Sequence, residues 1–187
     1  VTNGRRRAGG PAERQTRARE GLDKLVAAGS VAADSKVDLA RSYVGLAGRA
    51  GHAHPEIATE AALRMALLAA RSVAYSKIGA SGLYFAELIK RLGIAPEINA
   101  RATITAGFTA EQVVNGAADL AVQQLSELKQ VAGVEVVGPI PLSLQTPAVF
   151  TAGRMASSSK AVEADALLRY LASPEVAPVL RDCGLEP

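Results

Sequence analysis

The chain has no tryptophan, three phenylalanines and four tyrosines, so aromatics make up only 4% of its 187 residues. Proteins that hold single-stranded nucleic acid stack bases on aromatic rings, and so few rings leave little platform for that. A single cysteine, Cys183, excludes an intramolecular disulfide and leaves the redox compartment open. Its place near Leu180 and Leu185 predicts a buried structural thiol. Only two histidines occur, His52 and His54, both in a predicted loop over 48–55. Two ring nitrogens at i and i+2 are at most half a metal site. With no cysteine nearby and no third ligand in reach, the loop reads as solvated, and no metal or other cofactor is expected. No apolar run approaches the roughly 20 residues of a membrane-spanning helix.

Positive charge is also scarce outside one stretch. Residues 1–20 hold Arg5, Arg6, Arg7, Arg14, Arg17 and Arg19 against Glu13 and Glu20, a net of +4, so the remaining 167 residues sum to −1 against a total of +3. The basic character therefore belongs to a leader over 1–20, which reads as solvated and disordered. No basic patch with interleaved aromatics occurs elsewhere, so no nucleic-acid partner is expected. No apolar stretch follows the arginines, and neither a Sec nor a twin-arginine signal is legible there.

Against these absences, 49% of the residues are hydrophobic, enough for a substantial core. The organising stretch is 75–124, where a short apolar strand twice runs through a small-residue loop into a helix. The first unit has strand 72–75, loop 76–82 and helix 81–92, with Phe85, Leu88, Ile89 and Leu92 on one face and Gly93 as its stop. The second has strand 101–105, loop 106–109, a helix ending at Asn115-Gly116 and strand 119–123. Thr109-Ala-Glu-Gln112 fits a capping box. This is the pattern of a parallel sheet with crossover helices, in which ligands sit outside the carboxyl ends of the strands. Both loops open a helix, whose free N–H groups attract anions.

Around this centre, 17–28 predicts a helix closed by Gly29, 36–49 one extended strand, and 56–70 a helix capped by Thr59. A short helix over 126–130, a strand over 134–137, a Pro-rich connector over 139–145 and an extended run over 148–155 follow. Helix 160–171 points Leu167, Leu168 and Leu171 inward. Ser173-Pro174-Glu175 reads as a helix start, with serine at the N-cap and proline after it.

No catalytic constellation stands out. Residues 79–83 are Gly-Ala-Ser-Gly-Leu, not a Gly-x-Ser-x-Gly elbow. Ser81 reads equally as a plain N-cap or as a ligand contact, and Thr109 as a cap or a ligand. For proton transfer near the loops the candidate groups are Tyr75, Lys77 and Glu127.

The motifs at 74–84 (Ala-Tyr-Ser-x-x-Gly-Ala-Ser-Gly-Leu-Tyr), Gly107-Phe108-Thr109, Ala118-Asp119-Leu120-Ala121 and the closing run 168–181 together resemble the molybdate-binding periplasmic proteins of ABC transporters. More broadly they resemble the type II bacterial solute-binding proteins, including a branch of aconitate isomerases. The likeness covers about 21–187. It implies an α/β fold of two lobes with parallel or mixed sheets. A first lobe would comprise 20–44 and 146–187, and a second 45–145. The resemblance further implies capture of a small oxyanion or organic acid, a periplasmic location and ABC membrane subunits as partners. It places ligand contacts at Ala80, Ser81 and Gly82 of the first loop, Phe108 and Thr109 of the second, and Gln124 at the end of the third strand. Molybdate binders often carry Tyr at that last position; Gln123 and Gln124 suit a carboxylate or hydroxyl, because an amide offers both donor and acceptor. The family's opening strands and Ser-rich loops have no counterpart here, where the Arg-rich stretch stands. The first lobe is therefore expected to be partial, to expose apolar surface and to favour oligomers.

Overall fold

The computed structural model describes residues 18–187; the expectations for residues 1–17 lie outside the described part. Contacts divide the chain into two compact units, one holding residues up to Ser42 with Ala148–Pro187, the other Tyr43–Pro147.

In chain order, helix α1 (Ala18–Ala27) ends at Gly29, whose φ of 67° is the left-handed conformation that glycine adopts without strain. Strands β1 (Val37–Ser42) and β2 (Val44–Arg49) follow. The single strand expected over 36–49 is thus two strands broken at Tyr43, and they belong to different sheets. Apolar alternation persists across the break, so periodicity does not reveal the change of partner.

The second unit continues with α2 (Glu60–Ala69), β3 (Val73–Tyr75), α3 (Ala80–Arg91), α4 (Ala95–Asn99), β4 (Thr103–Ile104), α5 (Ala110–Val114), β5 (Leu120–Gln124), α6 (Leu125–Leu128) and β6 (Val134–Pro139). Thr59 caps α2 by accepting a hydrogen bond from the Ala62 N–H at 3.1 Å. Helix α4, with Pro96 in its first turn, lies between α3 and β4, where no element is expected from the sequence. The strands form one mixed sheet in the order β4-β3-β5-β2-β6. β3 is parallel to both β4 and β5, and β2 is antiparallel to β5 and β6.

Alternate residues of a strand point to opposite faces, and here the two faces differ in size. Val44, Leu46, Val73, Tyr75, Leu120 and Val122 enter one buried cluster with Leu63 and Leu67 of α2, Phe85, Leu88 and Ile89 of α3, and Ile98 of α4. Ala47, Ala74 and Ala121 enter the other with Ala110 and Val113 of α5 and Leu128 of α6. The alanine face lets the short helices α5 and α6 lie close to the sheet; the bulky face carries the longer α2 and α3 together with the short α4. The Tyr75 and Phe85 rings meet edge to face, 5.2 Å apart.

The first unit is built from α1, β1, then β7 (Ala148–Ala152), α7 (Ala161–Leu171), α8 (Ala177–Asp182) and β8 (Leu185–Glu186). Its sheet has the order β7-β1-β8, antiparallel throughout. Leu22 of α1 is buried in the contact with β7. Three expectations are corrected here. Leu168 alone of α7 is fully buried, and Leu167 is 56% exposed because it lies on the outer side of the helix. Ser173-Pro174 opens a turn, with the Val176 N–H donating to the Ser173 carbonyl and Ala177 to Pro174, so α8 begins only at Ala177. Cys183 is exposed, because α8, the helix it closes, has no fully buried side chain. Val162, Tyr170 and Val179 of α7 and α8 are also more than half exposed.

Two neighbours on β2 test the asymmetry of the larger sheet. Leu46→Ala should lose about 2–5 kcal/mol by leaving a cavity. Ala47→Leu should lose about 1–3 kcal/mol by overfilling the alanine face. Urea unfolding midpoints should fall for both, and a neutral Ala47→Leu would show that the alanine face has room to spare.

Candidate functional site

β4, β3 and β5 run parallel and adjacent, so their carboxyl ends share one edge of the sheet. Tyr75 pairs with Ile104, and the Thr105 N–H donates to the Tyr75 carbonyl at 3.4 Å, which starts the two loops side by side. Gln124, the last residue of β5, pairs with Val44, which brings the start of β2 to the same edge.

The first loop is organised by Ser76. Its hydroxyl accepts from the Ile78 N–H at 3.2 Å and the Gly79 N–H at 3.0 Å, a tight turn that delivers the chain into α3. The first helical hydrogen bond is Leu83 N–H to the Gly79 carbonyl, so the N–H groups of Ala80, Ser81 and Gly82 have no protein acceptor among the described residues. The Ser81 side chain, on a residue only 6% exposed, also makes no hydrogen bond among the described residues. Gly82 fits because it lacks a side chain: a Cβ there would lie 1.6 Å from the Ser76 carbonyl oxygen. The signature Gly-Ala-Ser-Gly thus combines a turn, unsatisfied donors and a close backbone approach.

The second loop is held differently from the sequence expectation. Thr109 is fully buried, and its side chain does not cap α5. Its N–H donates to Gln123 Oε1 at 2.8 Å, and its hydroxyl lies 3.0 Å from the same oxygen and 3.3 Å from the Val122 carbonyl. The predicted capping box at 109–112 is therefore replaced by a link to β5, because the buried Gln123 amide competes for the threonine. A capping box forms instead at Gln124 and Glu127, where the Gln124 N–H donates to Glu127 Oε2 at 3.3 Å. Burial outweighs the bond from the Gln124 N–H and raises the Glu127 carboxyl above its ordinary value of 4.5. In the same loop the Gly107 N–H donates to Thr105, whereas the Ala106 and Phe108 N–H groups have no protein acceptor among the described residues.

Of the other singled-out residues, Tyr75 is buried and donates to Asn99, which removes it from the loop edge. Lys77 is exposed. Gln145, overlooked in the Pro-rich connector, accepts from the Val44 N–H at 2.9 Å and donates to the Val44 carbonyl at 3.0 Å. Tyr84 and Arg91 of α3 both donate to the Leu144 carbonyl, and burial pushes the Tyr84 hydroxyl up to about 12 although Arg91 acts to lower it. Nothing in the local sequence announces these connector contacts, which join residues more than fifty positions apart.

A cavity of about 650 Å³ lies at the opposite end of the same sheet, among Arg49, His54, Arg71, Val113 and Asp119. Its charges are already engaged. Arg49 donates to the Val113 and Val114 carbonyls, Arg71 to Asp119 and the Gly116 carbonyl, and His54 pairs with Glu135 at 2.9 Å. Among the described residues no group of three His, Cys, Asp or Glu could hold a metal ion.

Two predictions follow from these contacts. Gly82→Ala should push the first turn of α3 off Ser76 and lower the melting temperature, whereas Gly79→Ala, with a Cβ 3.3 Å from the Ser76 hydroxyl, should be milder. Partial burial acts to raise Asp119, but the Arg71 hydrogen bonds and charge outweigh it and hold the carboxyl below its ordinary 3.8. The stability from this pair is present above that value and is lost as pH falls through the lowered one. Melting temperature against pH should therefore fall more steeply below 3.8 in the wild type than in Asp119→Asn.

The comparisons with known proteins agree with this architecture. A family model described as bacterial extracellular solute-binding protein matches residues 10–186. An aconitate isomerase from Pseudomonas sp is 41% identical over 168 residues, which cover 89% of this chain and 64% of that protein. This chain thus spans less than two thirds of that relative. Among solved structures, the substrate-binding domain of a putative molybdenum ABC transporter from Clostridium difficile superposes with a TM-score of 0.77 at 14% identity, over 90% of this chain and 73% of that one. The periplasmic molybdate-binding protein of Azotobacter vinelandii gives 0.65 at 20% identity, over 90% and 75%. At such identities the structures establish the fold, a periplasmic-binding-protein-like α/β architecture with mixed sheets. With the family model matched along nearly its whole length, the chain belongs to the bacterial extracellular solute-binding proteins.

Proposed function

We propose that the chain captures a small organic acid or oxyanion at the carboxyl ends of β4, β3 and β5, in the periplasm, for delivery to ABC-type membrane subunits. The observation that carries this reading is the start of α3. Three backbone N–H groups without acceptors and the unpaired hydroxyl of Ser81, a residue otherwise buried, lie within one helical turn, where the helix dipole favours negative charge. The ligand is held by neutral donors from Ala80, Ser81, Gly82 and the Phe108 N–H. Gln124 stands at the rim, and Thr109 acts through its link to Gln123. Neutral donors suit an anion that must later be released, because they stabilise it without a buried countercharge. An organic acid is favoured over molybdate by the identity with the aconitate isomerase and by glutamine at position 124.

That same identity favours one second reading, isomerisation of a tricarboxylic acid such as aconitate. Moving the double bond requires a base that removes a C–H proton and an acid that returns one elsewhere. Glu127, half-buried with a raised carboxyl pKa, is the remaining candidate base of the three near the loops.

Thermal shift with molybdate, sulfate, phosphate, citrate and cis- and trans-aconitate separates these readings. A ligand bound only to the native state raises the melting temperature by mass action, so a selective rise with one anion supports capture. No rise with any of them overturns it. Ser81→Ala should weaken the selected anion by about 1–3 kcal/mol if the hydroxyl donates to it. Unchanged affinity would remove Ser81 from the site. Conversion of trans- to cis-aconitate, followed by absorbance, tests the isomerase reading directly.

A further inference from the structure

We propose that the cavity at the far end of the larger sheet is a second ligand site, suited to a small carboxylate with an aliphatic body. Its lining includes Arg71, just before β3, and Leu120, which opens β5. It therefore sits at the amino ends of strands whose carboxyl ends carry the anion site. Its volume of about 650 Å³ falls within the range of small-molecule sites.

Three long-range contacts hold the walls in place. Arg49 Nη2 donates to the Val113 and Val114 carbonyls at 3.4 and 2.6 Å, which ties the end of β2 to the end of α5. Arg71 Nη2 donates to Asp119 at 2.9 Å and to the Gly116 carbonyl at 3.1 Å. His54 Nε2 lies 2.9 Å from Glu135. The same ring rests on Gly48, where a Cβ would lie 2.7 Å from Nδ1. Walls tied in this way need little ordering when a ligand enters, and ordering is one of the main costs of binding.

Floor and rim differ in chemistry. Ala66, Ala70, Val113, Ala118 and Leu120 are each less than a tenth exposed and make an apolar floor of short side chains. At the rim, cationic donors outnumber acceptors. Both Asp119 oxygens are already taken by Arg71, Oδ1 by its side chain and Oδ2 by its backbone N–H. The Arg49 bonds use only Nη2, so its Nε and Nη1 have no protein acceptor among the described residues, and neither has Arg71 Nη1. A carboxylate complements such a rim, because its two oxygens accept from two guanidinium N–H groups at once. No Phe, Tyr or Trp is among the lining residues, so an aromatic body would find no ring to stack on. An aliphatic chain matches the alanine floor better.

The test uses octanoate as the probe, with octanol and octylamine as controls of equal chain length, followed by amide chemical shifts of the full chain at neutral pH. Octanoate should bind saturably and shift the amides over 49–54, 69–71 and 113–119 rather than those over 80–82. Octanol and protonated octylamine should bind about tenfold more weakly or worse, since neither can form the charge-assisted pair. Ala69→Phe brings a ring into the cavity from an exposed position of α2 and should abolish binding without lowering the melting temperature. Arg49→Met keeps an apolar stem and should weaken octanoate about tenfold; its ligand-free melting temperature reports separately on the lost tie to α5.

Unsaturable or absent octanoate binding overturns the inference, and so does octanol binding equally well. Shifts confined to 80–82 and 106–109 would place octanoate in the anion site instead and overturn it too. A folded Ala69→Phe chain that binds like the wild type rejects the cavity as the location, and an unaffected Arg49→Met rejects the charged head. A chain that takes octanoate here but none of the anions above sustains this inference while the anion-site reading fails.

Discussion

The parallel pairing of β3 with β5 is the constraint on which the larger unit depends. Val73 faces Leu120 and Ala74 faces Ala121, so a single register places a bulky pair on one face and a small pair on the other. β3 is buried along its whole length and β5 along four of its five residues, as strands covered by helices on both faces must be. A slip of one residue would exchange the faces, pressing valine and leucine against α5 and alanine against α3. The same register fixes where the strands end, and so where their loops emerge.

Polar groups at that edge are arranged by the same economy. Ser76, Thr109, Gln123 and Gln145 are uncharged side chains that each satisfy backbone groups near the loops. Buried donors and acceptors must find partners or carry the full desolvation penalty. The donors that remain without protein partners are therefore informative, and they gather at the start of α3 and in the loop after β4. Glu127 stands apart as the charged member of this set, and its burial acts against its ionisation. The opposite end of the sheet makes the contrast: there Arg49 and Arg71 are exposed and Asp119 half-buried, and their hydrogen bonds tie helix ends and strand starts together.

Much of the fold was legible because it is local. The stops at Gly29 and Gly93, the cap at Thr59, the inward face of Phe85, Leu88 and Ile89, and the two strand-loop-helix units follow from spacing and turn chemistry within a few residues. What was misread depends on partners far along the chain. Residues 36–49 read as one strand because alternation continues through Tyr43 while the hydrogen-bonding partner changes from β7 to β5. Thr109 read as a helix cap because the competing amide of Gln123 lies fourteen positions away. Cys183 read as buried because apolar neighbours in sequence do not guarantee a covered helix.

The sequence by itself determined the βα arrangement, the small-residue loops and the surplus of neutral over charged groups around them, since these rest on propensity, periodicity and composition. Only the tertiary structure decided which donors stay open. Whether a serine or threonine faces a ligand or a neighbouring amide is a competition between acceptors brought together by strand pairing. Ser81 meets no protein acceptor among the described residues and Thr109 meets Gln123, although both open a helix after a small-residue loop. That difference comes from the parallel register of β3, β4 and β5, which sets Gln123 beside Thr109 and leaves the start of α3 without such a partner.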